Sequence, residues 1–220
     1  MTTAVESGSR LAQRLVLLGA PLALAVLEVF HPRKEDLVGA IGEADWFFWF
    51  HMIQLPLVGL VAVAAFLLTE GLTGPLVTAS RWSVGVFAVF FSAYDAAAGI
   101  ATGYVLRNAQ GLPLESQTAI FEAAHDMPGP SLIFLLSVVG SGAWTVAVVT
   151  AAVALRRAGA SRITFVLLIF AGVFLLGGHP FPFGTLAFGC FFLAAARMEF
   201  TSESATSPGP LPSRQARGLD

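Results

Sequence analysis

The chain has one cysteine, Cys190, and few charges: acids and bases together make up only 12% of its 220 residues. A single cysteine rules out an intramolecular disulfide and a thiolate-held metal cluster within one chain. Soluble domains carry about 25% charged residues, so the shortage argues against an ordinary water-exposed surface. A net charge of −2 and a pI near 6.1 leave no basic patch for nucleic acid. The sequence also lacks a phosphate-cradling GxxxxGKS/T loop, a GxGxxG dinucleotide fingerprint and an HExxH metalloprotease pair. What remains is apolar. Hydrophobic residues make up 56% of the chain and mean hydropathy is +0.77, the composition of a polytopic membrane protein whose first partner is the lipid bilayer.

About 20 apolar residues cross the hydrocarbon core as a helix. Segments 11–30, 46–68, 82–106 and 131–155 meet that length. The run 163–196 is too long for one helix and is interrupted by His179-Pro180-Phe181-Pro182. Proline disfavours helix in the residue before it and removes a backbone donor. The expectation is therefore an all-α bundle of six transmembrane helices, the last two (163–177 and 183–197) forming a short hairpin. Four spans with a re-entrant hairpin is the alternative. In domain terms, 1–9 is a cytoplasmic segment, 10–199 the transmembrane domain, and 200–220 a disordered cytoplasmic tail rich in Ser, Pro and Arg. Arg10 and Arg14 ahead of an apolar core imitate a signal peptide, with Ala23-Leu24-Ala25 as its cleavage-like site. The apolar run continues through Val29 and Phe30, which favours a retained helix.

Charge sets the orientation. With six spans and the N-terminus inside, nine arginines (10, 14, 81, 156, 157, 162, 197, 214 and 217) are cytoplasmic. Only Arg33, Lys34 and Arg107 lie outside, in keeping with the positive-inside rule. Trp46, Trp49 and Trp82 open spans at the depth where indole rings settle. Gly99 and Gly103 form a GxxxG, extended by Ala93, Ala96 and Ala97; Gly140, Gly142 and Ala143 on the next span offer a matching surface.

Asp95 is the one ionisable residue placed deep in a span. A carboxylate in hydrocarbon costs roughly 2.5–3.5 kcal/mol on insertion scales, so it needs a partner, a cavity or a ligand. All four histidines (31, 51, 125 and 179) fall on the outer side of the assigned topology. Glu28 with His31, and His51 with Gln54, are spaced three apart, so each pair shares a helix face. A funnel from His31 and His179 past Glu28, His51 and Gln54 down to Asp95 follows, with Tyr94 beside it in sequence and His125 and Asp126 in a loop turn above. The ordinary reading of Asp95 is a hydrogen bond to Gln54 or to Ser137, Ser141 or Thr145.

Imidazole and carboxylate without thiolate suit Zn²⁺, Fe²⁺ or Mn²⁺, with His31, His51 and His179 as ligands and Asp95 and Glu28 as catalytic carboxylates. Three protein ligands with an open position would activate a bound water. Haem is the other cofactor such a set could hold, between two histidines on facing helices and among the nearby phenylalanines. The leading reading is thus a membrane-embedded enzyme with a metal or haem site opening to the extracytoplasmic side. The alternatives are a small-solute or proton-coupled transporter using Asp95, with Pro21 and Pro56 breaking helices, and a scaffold with no chemistry.

Topology is the first testable consequence. Reporter fusions in the termini and at 71–80 and 158–161 should read as cytoplasmic, and those at 32–45 and 108–127 as external. An external C-terminus would overturn the six-span reading.

Overall fold

The computed structural model describes residues 10–32, 37–126 and 129–206. All regular structure among them is helical. Helix α1 (Arg10–Val29) is followed by the short α2 (Leu37–Gly42) and by α3 (Ala44–Leu67). Helix α4 (Pro75–Ala109) is the longest at 35 residues, then come α5 (Leu114–Asp126) and α6 (Pro130–Arg157). Helix α7 (Arg162–Phe174) tightens into a 3₁₀ turn at Leu175–Gly177, and α8 (Phe183–Thr206) completes the order.

Four helices, α1, α3, α4 and α6, are long and apolar enough to cross a membrane. Segment 162–177 is a shorter apolar helix, and α8 has 24 residues. Four of the six expected spans therefore meet the length criterion. Helix α8 runs past 197 to Thr206; residues 1–9 and 207–220, where the terminal segment and most of the tail were expected, lie outside the described residues. The outer loop expected at 108–127 is largely the helix α5. Ile120, Phe121 and Ala124 give α5 one apolar side, which packs with Ala40 and Ile41 of α2 and with Leu106 and Ala109 at the end of α4. That small second core explains why the connection is ordered as helix and not as a loop. Nor do the prolines break helices. Pro56 lies inside an unbroken α3, and Pro21 follows a π-helical turn, Leu15–Gly19, in α1.

The main core is aromatic at its centre. Trp144 of α6 is fully buried, its ring 4.9 Å from Phe87, 5.7 Å from Phe188 and 5.5 Å from Phe191. An indole N–H needs an acceptor in an apolar interior. Trp144 Nε1 donates to the Ala171 carbonyl at 2.9 Å, and Thr145 Oγ1 donates to that of Gly172 at 2.8 Å. These two bonds tie α6 to α7.

The small residues act on two different neighbours. Gly99 and Gly103 face α3: a Cβ on Gly99 would meet the His51 ring, and one on Gly103 would lie 2.9 Å from Phe48 Cα and 3.0 Å from its backbone nitrogen. Gly140 approaches α4 at the Phe91 backbone, 3.1 Å from a would-be Cβ, while Gly142 faces open space. The pairing of the GxxxG with the α6 glycines is thus corrected. The GxxxG seats α3, and a separate glycine seats α6.

Helix contact through Gly103 is against backbone, which cannot yield. Gly103→Ala should destabilise by about 1–3 kcal/mol through overpacking. Gly142→Ala, with nothing near it, should be neutral or stabilise by up to about 1 kcal/mol through helix propensity. Thermal unfolding in detergent checks both, and equal effects of the two would refute the packing assignment.

Candidate metal centre

Three helices and one turn deliver the polar side chains. Glu28 lies in the last turn of α1, and His31 follows its end, where Pro32 stops the helix. His51 and Gln54 project from one face of α3. Asp95 opens a π-helical segment, Asp95–Ala101, within α4. His179 sits in the turn between α7 and α8, after Gly178 at φ 100° and before Pro180. π-Segments inside α-helices are frequent at functional sites, because the extra residue per turn re-aims side chains.

The three histidines meet. One ring nitrogen from each of His31, His51 and His179 lies within 4.8 Å of the other two. Their ring centroids are 5.4 Å (His31–His51), 4.7 Å (His31–His179) and 6.3 Å (His51–His179) apart, all edge to face. Two ligands of one ion stand roughly 3–4 Å apart, so the group needs only a small contraction to share one. Two glycines make this approach possible: a Cβ on Gly99 would strike the His51 ring, and one on Gly184 the His179 carbonyl. Phe50 packs its ring 4.8 Å from His31 and 5.1 Å from His51, and Tyr94 sets its ring edge-on to His179 at 5.7 Å.

Hydrogen bonds orient the imidazoles. His51 Nδ1 donates to the Phe47 carbonyl at 2.7 Å, and His31 Nδ1 to the Pro32 carbonyl at 2.9 Å. Carbonyls only accept, so both rings carry a proton on Nδ1, and in the neutral form Nε2 holds the lone pair. His179 Nδ1 lies 3.4 Å from Glu28 Oε2, and Gln54 Nε2 donates to Glu28 Oε1 at 3.0 Å. Gln54 Nε2 also stands 3.3 Å from His179 Nδ1. Of these contacts the amide bond to Glu28 is the shortest. It leaves the other carboxylate oxygen to accept from His179 Nδ1–H, so that in the neutral ring Nε2 carries the lone pair. Carboxylates and carbonyls behind imidazole ligands are the usual outer shell of a metal site.

Asp95 differs from all of these. It is 1% exposed, and neither carboxylate oxygen has a hydrogen-bond partner. Its Oδ1 is 3.9 Å from His51 Nε2, beyond hydrogen-bond length. The expected bonds to Gln54 and to the α6 hydroxyls are absent. Gln54 is engaged by Glu28, and Thr145 by the Ser141 and Gly172 carbonyls. The Asp95 carboxylate thus faces the His51 ring with no hydrogen-bond donor of its own.

Of the residues placed on the anticipated path, Glu28, His31, His51, Gln54, Tyr94, Asp95 and His179 lie together. His125 and Asp126 end α5, a helix and not the expected loop turn, and their side chains lie outside the described residues. The buried Thr185 Oγ1, also without a partner, escaped the sequence reading, as did Gly184 beside it. Their only signal was position, directly after the His-Pro-Phe-Pro turn.

A buried hydrogen bond to a charged acceptor contributes about 1.5–3 kcal/mol. Gln54→Leu should destabilise by that amount, because Glu28 loses its donor. Asp95→Asn breaks no bond and removes a buried charge, so its melting temperature in metal-free detergent should equal or exceed that of the parent. A clear loss of stability in Asp95→Asn would show that the carboxylate has a structural partner.

Comparison with known proteins assigns the site to no family: no protein-family model, no curated protein and no solved structure matches the chain.

Proposed function

We propose that the chain is a six-span membrane protein with both termini cytoplasmic, holding one transition-metal ion through His31, His51 and His179 near its extracytoplasmic side. The observation that carries this reading is the convergence of three ring nitrogens, from three separate segments, within 4.8 Å. Three neutral imidazoles leave a further coordination position, and a site of that kind serves to activate a bound water. Glu28 orients His179, Gln54 holds Glu28, and Asp95 Oδ1 lies 3.9 Å from His51 Nε2. The activity class is metal-assisted chemistry on a substrate reaching the site from outside or from the outer leaflet.

A single ion is favoured over haem because the third imidazole lies against the other two. With centroids 4.7–5.4 Å from His31 to its neighbours, no slab-like gap remains for a porphyrin. Transport is disfavoured by what lies beyond Asp95. Toward the Pro75 end of α4 the bundle is filled by Phe91, Phe87 and Trp144, each fully or almost fully buried, so the polar path ends blind.

Metal analysis of detergent-purified protein decides the matter. One equivalent of zinc, iron or manganese per chain is expected. His51→Ala should lower occupancy at least tenfold, and binding should weaken as pH falls, since protons compete for the imidazoles. A Soret band would select haem instead, and absence of both would leave transport or scaffold.

A further inference from the structure

We infer that Asp95 is the fourth ligand of this ion and that the resident metal is divalent. The inference rests on the three-histidine reading and extends it to a His₃Asp set, in which a bound water would take a fifth position.

The first argument is geometric. His51 must present Nε2 to the ion, because its Nδ1–H is committed to the Phe47 carbonyl. Asp95 Oδ1 lies 3.9 Å from that same nitrogen, inside the separation of roughly 3–4 Å that two ligands of one ion adopt. Both oxygens of this buried carboxylate lack a hydrogen-bond partner, and a cation would supply what they miss. The π-segment that starts at Asp95 places this side chain opposite His51, while Gly99, one turn on, yields the space the ring occupies.

The second argument is charge. Among the described residues, neither Glu28 nor Asp95 pairs with lysine or arginine, and both are at most 1% exposed. Buried charge is tolerated when it is paired or bound to metal. Three neutral imidazoles and two carboxylates sum to 2−, which a divalent ion cancels. A monovalent ion such as Cu⁺ or Ag⁺ would leave one negative charge in the bundle, and a trivalent ion one positive charge.

Purified protein titrated with Co²⁺ and, separately, with Ag⁺ tests the assignment. Asp95→Asn should weaken Co²⁺ binding by about 100-fold or more, since even outer-shell losses cost 10–100-fold. Ag⁺ binding, which needs only imidazoles, should change little and reports that the variant is folded. Asp95→Cys loaded with Co²⁺ should gain a near-ultraviolet thiolate-to-cobalt charge-transfer band that the parent, with only Cys190, lacks. Parent-like Co²⁺ affinity in Asp95→Asn, or no such band in Asp95→Cys, overturns the inference and leaves the three-histidine site standing. A parent protein that binds no Co²⁺ overturns both.

Discussion

Polar groups in an apolar bundle must find partners inside it, because neither lipid nor a dry core supplies any. Glu28, Gln54, His51, Asp95 and His179 are all at most 5% exposed. Much of the local architecture follows from housing them. Glu28 is satisfied from two sides, by the Gln54 amide and the His179 ring. His51 closes on its own helix through the Phe47 carbonyl. Among the described carboxylates of the site, Asp95 is left with no donor on either oxygen. Evolution seldom retains such a group for stability, since removing a buried charge often stabilises a fold. An unpaired carboxylate beside three convergent imidazoles is what the proposed cation would satisfy.

The glycines and prolines are distributed to serve that arrangement. Gly99 lets the His51 ring lie against α4, and Gly184 lets the His179 turn and Glu28 lie against α8. Pro32, Pro180 and Pro182 end or prevent helix next to His31 and His179, so these rings leave their helices and turn inward. Below the site the design changes. Trp144 and its phenylalanine neighbours fill the interior with side chains that need little beyond one indole hydrogen bond. The bundle therefore has a polar end and an aromatic end that holds the helices together.

Much of this was legible in the chain. Long apolar runs can be stable only as membrane helices, so the helical class and four spans could be read from hydropathy. The Glu28/His31 and His51/Gln54 pairs were legible for a local reason: residues three apart on a helix share a face whatever the tertiary fold. Asp95 could be singled out because a carboxylate in hydrocarbon is too costly to be incidental. The helix α5 was missed because its 13 residues draw stability from packing on α2 and α4 and not from their own pattern.

Composition and spacing by themselves determined that the chain is helical, that it is membrane-compatible, and which side chains could not be left unpartnered. Only the tertiary structure decided who meets whom. His31, His51 and His179 are separated by up to 148 positions, and no local rule brings such residues within 4.8 Å. Likewise the GxxxG carried no address: glycines permit close approach, but the partner helix is chosen by the packing of the whole bundle, which set α3 against it and α6 elsewhere. The missing donor at Asp95 was the least legible feature of all. Sequence lists the hydroxyls and amides within possible reach, and only three-dimensional competition among acceptors decides that Gln54 and Thr145 bond elsewhere.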